Sequence, residues 1–436
     1  MAKRILLVLI ALIVIGAVGF FALAWKPAIA PVDPPPAAGF AAALVARGEQ
    51  LAGAGNCASC HTAPGGAAYA GGLAMETGFG TVYSTNITPD ADTGIGRWSR
   101  EAFVRAMREG VARDGSHLLP AFPYDHFTKV RDEDLDALYA YFMTRAAVSA
   151  EAPANTIPFP LNIRLLQAGW KLLFFDLHKG VYEARADKGE EWNRGAYLAE
   201  GLGHCGACHT PRNSLGAEKR HLAYAGASIK AWWAPALNAA STSPMPWTQD
   251  DLYAYLRTGG STLHGVAAGT MSDVVHAGLA KLPDEDVRAV ALYFADLNGS
   301  AARTAASAEA LTQAMARSRA DASEEIDAGA ALYRAACASC HYNGGAQPLA
   351  PRPELALSST VTGPDPSNFI HIVLHGIGDG EGLPGLYMPG FAASLSDADI
   401  ANLAAYLRRS RSDQPAWNAL PSTVAKLRTQ PAGAEQ

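Results

Sequence analysis

The 436-residue sequence predicts a mainly α chain of three tandem helical units behind one N-terminal transmembrane helix. Three observations carry that expectation. An uncharged apolar run opens the chain. All six cysteines fall into three copies of one motif, Cys-x-x-Cys-His. Well after each copy comes a helix that starts on acidic residues and carries an aromatic ring, so one structural unit recurs.

The apolar run extends from Ile5 to Trp25 behind Lys3 and Arg4. At about 1.5 Å per residue it is long enough to cross a hydrocarbon core of roughly 30 Å. Its length favours an uncleaved signal anchor. The competing reading is a secretory signal peptide, for which Ala28-Ile29-Ala30 offers a small-residue cleavage site. The positive flank puts the N-terminus in the cytoplasm and everything after Lys26 outside it.

The cysteine motifs are Cys57-Ala58-Ser59-Cys60-His61, Cys205-Gly206-Ala207-Cys208-His209 and Cys337-Ala338-Ser339-Cys340-His341. This is the attachment pattern of c-type haem, in which two thiols add to the vinyl groups and the adjacent histidine ligates the iron. Thiols three positions apart on one helical turn reach neighbouring vinyls. A redox pair or a zinc site uses the same Cys-x-x-Cys spacing. Three copies, each with its histidine and no cysteine left over, argue instead for three covalent haems, with His61, His209 and His341 as proximal ligands.

Each motif is preceded by a short helix with a glycine, Gly48, Gly195 or Gly329, and followed by a helix over Asp132 to Phe142, Asp284 to Phe294 or Asp397 to Leu407. The acidic starts complement the helix dipole. Tyr139, Tyr293 and Tyr406 are placed to pack on the partner helix, where glycine admits a close ring. This frame resembles the crossed terminal helices of class I cytochrome c domains. The expected organisation is an anchor over 1–30, a proline-rich linker over 31–38 and a first domain over 39–150. An apolar connector follows over 151–188, then a second domain over 189–299, a linker over 300–323, a third domain over 324–411 and a tail over 412–436. The 31–38 linker, with Pro34-Pro35-Pro36, reads as a stiff spacer between membrane and body. The Ala- and Ser-rich linker favours helix, and the tail reads as a surface segment. Within the connector, Ile157 to Leu177 is either a packed link or a helix docking on a membrane or a partner.

A second axial ligand completes a low-spin haem, and methionine raises the potential relative to histidine. Met271 and Met388 stand between the middle and final helices of the second and third units and are the expected ligands there; Met245 is a weaker rival. The first unit has Phe122 at that place, which cannot ligate iron. His126 is the leading substitute there and His117 the next, while Met75, Met107 and Met143 lie off the repeat frame.

The formal charge of −6 gives no sign of nucleic-acid binding. No dinucleotide fingerprint, phosphate loop or nucleophile elbow is present. His221, His264, His276, His371 and His375 have no metal-site spacing of comparable strength.

Longer stretches carry a family resemblance. Tyr83-Ser84-Thr85-Asn86-Ile87-Thr88-Pro89-Asp90, Arg194-Gly195-Ala196-Tyr197-Leu198 and the run from Gly201 through the second haem motif to Asn213 resemble the membrane-bound triheme cytochrome c subunits of bacterial periplasmic dehydrogenases. That resemblance implies an electron-transfer subunit that serves a separate catalytic subunit and passes electrons to ubiquinone or a terminal oxidase. Pro120-Ala121-Phe122-Pro123-Tyr124-Asp125-His126-Phe127, with Ala168-Gly169-Trp170-Lys171-Leu172-Leu173-Phe174-Phe175, is more similar to the subunits paired with molybdenum hydroxylases. Those act on aldehydes or N-heteroaromatics through a molybdopterin subunit and a small iron-sulfur subunit. The alternative branch is the cytochrome subunit of a flavin- or PQQ-dependent alcohol or sugar dehydrogenase. A reading of a different class, a haem enzyme or gas sensor, follows if the first haem is open.

Overall fold

The structure is a computed structural model that describes residues 1–229, 231–320, 327–348, 353–378 and 380–430. It is mainly helical, as expected, with three two-stranded antiparallel hairpins among the described residues that sequence pattern did not reveal. The chain forms two compact units. One comprises 1–51 and 60–183; the other takes in 52–59 and resumes at Ala184.

In the first unit the helix Ala2–Ala24 is exposed except near its end, where Ala24 is buried, and is long and apolar enough to cross a membrane. The chain beyond it does not stand off as a spacer. Ile29 N–H donates to the Arg113 carbonyl and Val32 N–H to that of Arg97, while Arg105 and Arg113 donate to the carbonyls of Pro27 and Ile29. The expected spacer therefore begins as a strap laid along the body.

The helix crossing recurs in each repeat. A Cβ on Gly48, in the helix Ala42–Ala54, would lie 2.0 Å from the Ala137 carbonyl oxygen in the helix Asp132–Met143. On Gly195 in Glu190–Glu200 it would lie 1.9 Å from the Ala289 oxygen in Asp284–Leu297. On Gly329 in Ala328–Leu332 it would lie 2.3 Å from the Asn402 oxygen in Asp397–Arg411. The glycines thus admit the partner helix backbone rather than a tyrosine ring, a correction to the sequence-based expectation. Tyr139, Tyr293 and Tyr406 are buried; Tyr139 donates to the Trp98 carbonyl, whereas Tyr293 does pack on its partner helix Glu190–Glu200, donating to Glu200 and meeting the Trp192 ring edge-on at 5.1 Å.

Within the second unit the expected linker is helical over Ser300–Arg303 and Ser307–Ala320. It buries Ala314 against Met245, Ala356 and Leu357, with Ala310 and Leu311 packed beside them, so it is a packed element. The segment after Arg411 is not a surface tail: Trp417, Leu420, Val424 and Leu427 join the core built on Ile370, Leu403 and Tyr406. Residues 321–326, which include the end of the expected linker, and 431–436 of the expected tail lie outside the described residues.

Candidate haem sites

Each motif forms a short helix: Cys57–His61, Gly206–His209 directly after Cys205, and Ala338–His341 directly after Cys337. Non-glycine residues with positive φ, Asn56 at 47° and His204 at 34°, precede the first two motifs. They turn the chain from the preceding helix into the motif.

The motif histidines share one arrangement. His61 Nδ1 lies 2.7 Å from the Thr85 carbonyl oxygen, His209 Nδ1 2.6 Å from that of Pro235, and His341 Nδ1 3.5 Å from that of Pro353. A carbonyl only accepts, so each contact fixes the proton on Nδ1 and leaves the Nε2 lone pair for a metal. Burial also holds all three imidazoles below the usual histidine range, with the carbonyl bond opposing it. The neutral ring is the ligating form. Sequence reasoning missed the three carbonyls.

Among the described residues no disulfide links the cysteines. Burial pushes the Cys205 thiol up to about 12 and Cys337 up to about 11. Neither environment favours the thiolate that a zinc site or a reactive redox pair needs, whereas an uncharged thioether suits both.

An apolar cavity of about 300 Å³ runs through the second unit. Cys205, Cys208, His209 and Met271 line it, and so do Cys337, His341 and Met388. Met271 sits on the short helix Thr270–Asp273, beyond the helix Gln249–Thr258 and its left-handed Gly259 cap. Met388 is held by a bridge to Ile377. Met245, the rival in the second repeat, is instead buried in the separate cluster with Ala314, Ala356 and Leu357. The residues present fit c-type haem: in the second repeat a neutral oriented imidazole, two thiols and a soft thioether face this apolar space, and in the third His341, the Cys337 thiol and Met388 do. Between the repeats, Trp233 N–H donates to the Asn368 side chain, whose amide donates back to the Trp233 carbonyl, both at 2.8 Å. His371 stacks on Trp232 at 4.7 Å and contacts the Ala231 carbonyl, so it is a buried packing residue.

The first repeat differs. Phe122 meets Phe127 edge-on at 5.2 Å. His126 is buried on the helix Tyr124–Phe127. His117 is excluded as a ligand: its Nε2 lies 2.7 Å from the Ala24 carbonyl oxygen and its Nδ1 3.0 Å from Lys171 Nζ. Met107 and Met143 are helix core residues, and Met75 packs on Val82, Leu119 and Ile157.

The cytochrome c family matches residues 45–146, and the family described as cytochrome c oxidase, cbb3-type, subunit III matches residues 324–407. The gluconate 2-dehydrogenase cytochrome c subunit of Pantoea cypripedii is 40% identical over 88% of this chain and 90% of its own length. The chain belongs to the cytochrome c subunits of dehydrogenase complexes. Its role is therefore electron transfer within such a complex, and its cytochrome c domains imply covalently bound haem c. The fructose dehydrogenase cytochrome subunit of Gluconobacter japonicus is 37% identical over 86% of the chain and 81% of its own length. A nicotinate dehydrogenase subunit of Pseudomonas putida is 50% identical over 94% of the chain, which spans only 34% of that relative's length.

Proposed function

We infer that the chain holds three covalent haems c and relays electrons from a periplasmic dehydrogenase subunit to ubiquinone or a terminal oxidase. The observation that carries this reading is the repeated Nδ1-to-carbonyl contact behind all three motif histidines. When bound, haem supplies one-electron exchange between ferric and ferrous iron. Cys57, Cys60, Cys205, Cys208, Cys337 and Cys340 hold it covalently. His61, His209 and His341 present Nε2, and Met271 and Met388 supply a sixth ligand in the second and third sites. His126 is the candidate in the first. The protein moves no proton and makes no bond in this role; it fixes ligands and excludes water.

The helix Ala2–Ala24 is read as a retained membrane anchor with the haem domains in the periplasm. Cleavage at Ala28-Ile29-Ala30 would cut through the bonded strap and remove the Ala24 carbonyl from His117.

For the partner we favour a molybdopterin catalytic subunit with a small iron-sulfur subunit, acting on an aldehyde or an N-heteroaromatic such as nicotinate. The Phe122-containing segment and the 50% identity to a nicotinate dehydrogenase subunit, against 34–40% for sugar and alcohol dehydrogenase subunits, support that branch. Cofactor analysis of the native complex with mass spectrometry of its co-purifying chains tests it. Molybdenum with a molybdopterin chain is expected; flavin or PQQ without molybdenum assigns the alternative branch. Phe122 also leaves room for a haem enzyme or gas sensor. Carbon monoxide binding to the reduced chain supports that reading, and six-coordination of all three haems refutes it.

A further inference from the structure

In the first unit, the segment after the buried Ile157 carries an unusual run of exposed apolar side chains. Phe159 is 79% exposed, Leu173 66% and Leu177 83%, with Leu161, Ile163 and Leu172 also open. Part of this run is the helix Gln167–Phe174, whose polarity is inverted. Its one charged residue, Lys171, is 3% exposed and donates inward to the carbonyls of Glu109 and Gly110, 2.5 and 2.7 Å away, and to His117. Burial pushes Lys171 down to about 7, with Asp176 and Glu109 opposing it. A water-facing helix turns its lysine outward and its leucines inward. This one does the reverse.

Its position says what covers it. Gly169 faces the Phe20 ring, which would stand 3.7 Å from a Cβ there. Phe20 lies four residues before the end of the helix Ala2–Ala24, about 6 Å along its axis. The join is rigid, because Ala24 is buried, its carbonyl meets His117 and the following strap is bonded to the body. Trp25, 58% exposed, and Lys26 follow at the level where aromatic and basic residues mark a membrane interface. If the N-terminal helix spans the bilayer, the helix Gln167–Phe174 cannot be lifted away from its surface.

We propose that residues 158–177 form a second membrane contact, an interfacial foot whose exposed leucines and Phe159 enter the acyl boundary beside the anchor. This rests on the reading of Ala2–Ala24 as a retained span. The inward Lys171 removes the only charge of the helix from that face, and the strap fixes how the first haem domain stands over the membrane.

The experiment uses the full haem-loaded chain in phosphatidylcholine vesicles. The native cysteines are consumed by haem, so an introduced cysteine is the reactive thiol. Leu173→Cys, Val14→Cys within the span and Glu101→Cys on the exposed body are alkylated with a charged maleimide and with an apolar one, and read by mass. The expected result is that L173C reacts with the charged reagent at least tenfold slower than E101C, yet is modified readily by the apolar one, while V14C resists the charged reagent. L173C reacting as fast as E101C while V14C stays protected overturns the foot and leaves the anchor standing. Protection of L173C that appears only after the dehydrogenase subunits are added also overturns it, since a partner then covers the face. Free reaction of V14C with the charged reagent overturns the anchor reading and the foot together.

Discussion

In the first two repeats the residue before the crossing glycine is an arginine that reaches the third acidic residue of the final helix; in the third repeat it is not. Arg47, beside Gly48, pairs with Asp134, whose side chain is 1% exposed. Arg194, beside Gly195, grips Asp286 through two bonds of 2.6 and 2.7 Å. Ala328 stands beside Gly329, and Asp399, the counterpart of Asp134 and Asp286, turns back into a capping box with Ser396. An outer pair, Arg409 with Asp327, spans that crossing at 2.7 Å, with side chains 58% and 49% exposed. The glycine contact is thus the constant of the repeat, and the polar lock over it varies. A backbone-to-backbone approach has one steric solution, whereas a carboxylate at a helix start is satisfied by an arginine or by its own cap.

That contrast is open to attack in four places. The largest effect belongs to the constant element. Gly48→Ala, Gly195→Ala and Gly329→Ala each force a methyl into a carbonyl, and each should cost about 3 kcal/mol or more, the upper end of overpacking penalties. Denaturant titration of the three variants checks this; one of them unfolding like the parent would break the claim of a shared crossing. Next, Arg47→Ala leaves Asp134 buried without its guanidinium and should cost roughly 3 kcal/mol, with Arg194→Ala close behind. Arg409→Ala, at a pair open to water, should cost less than about 1 kcal/mol. The same titrations rank the three, and equal losses would mean that the locks are equivalent after all.

The smallest effect is a pH dependence contributed by the third repeat's caps. The Ala330 N–H, then Arg409, hold Asp327 below the usual carboxylate range, and the Ser396 side chain and backbone do the same for Asp399. A depressed folded value means that stability is present above the unfolded value of about 4 and is lost as pH falls through the folded one. Ser396→Ala and Asp327→Asn should flatten that loss below about pH 4, followed by thermal melts at stepped pH. An unchanged profile in both variants would remove the caps from the account.

Much of this was legible in the sequence because it rests on side-chain identity at fixed spacing. The three glycines and the acidic helix starts fall where the repeat put them, and Met271 and Met388 line the same cavity as the second and third motif histidines. The Arg–Asp lock was also readable, since arginine precedes glycine in two of the three copies. The C-terminal helix instead reads in the sequence as a surface tail, although its Leu420, Val424 and Leu427 recur at helical spacing. The carbonyls of Thr85, Pro235 and Pro353 were not legible, because a backbone acceptor leaves no mark on residue type and the interval from its histidine changes from copy to copy. Nor was the exclusion of His117, which depends on Ala24 and Lys171, far from it in sequence.

The claim that the chain holds one haem behind each oriented histidine is tested most directly by the intact mass of the full chain, purified with its cofactors and denatured before measurement. Thioether links survive denaturation, so the account predicts a mass above the polypeptide by three haems. Cys57→Ala with Cys60→Ala, and the matching pairs in the other two motifs, should each remove one. An excess of two haems, or a pair of substitutions that leaves the mass excess unchanged, would contradict it.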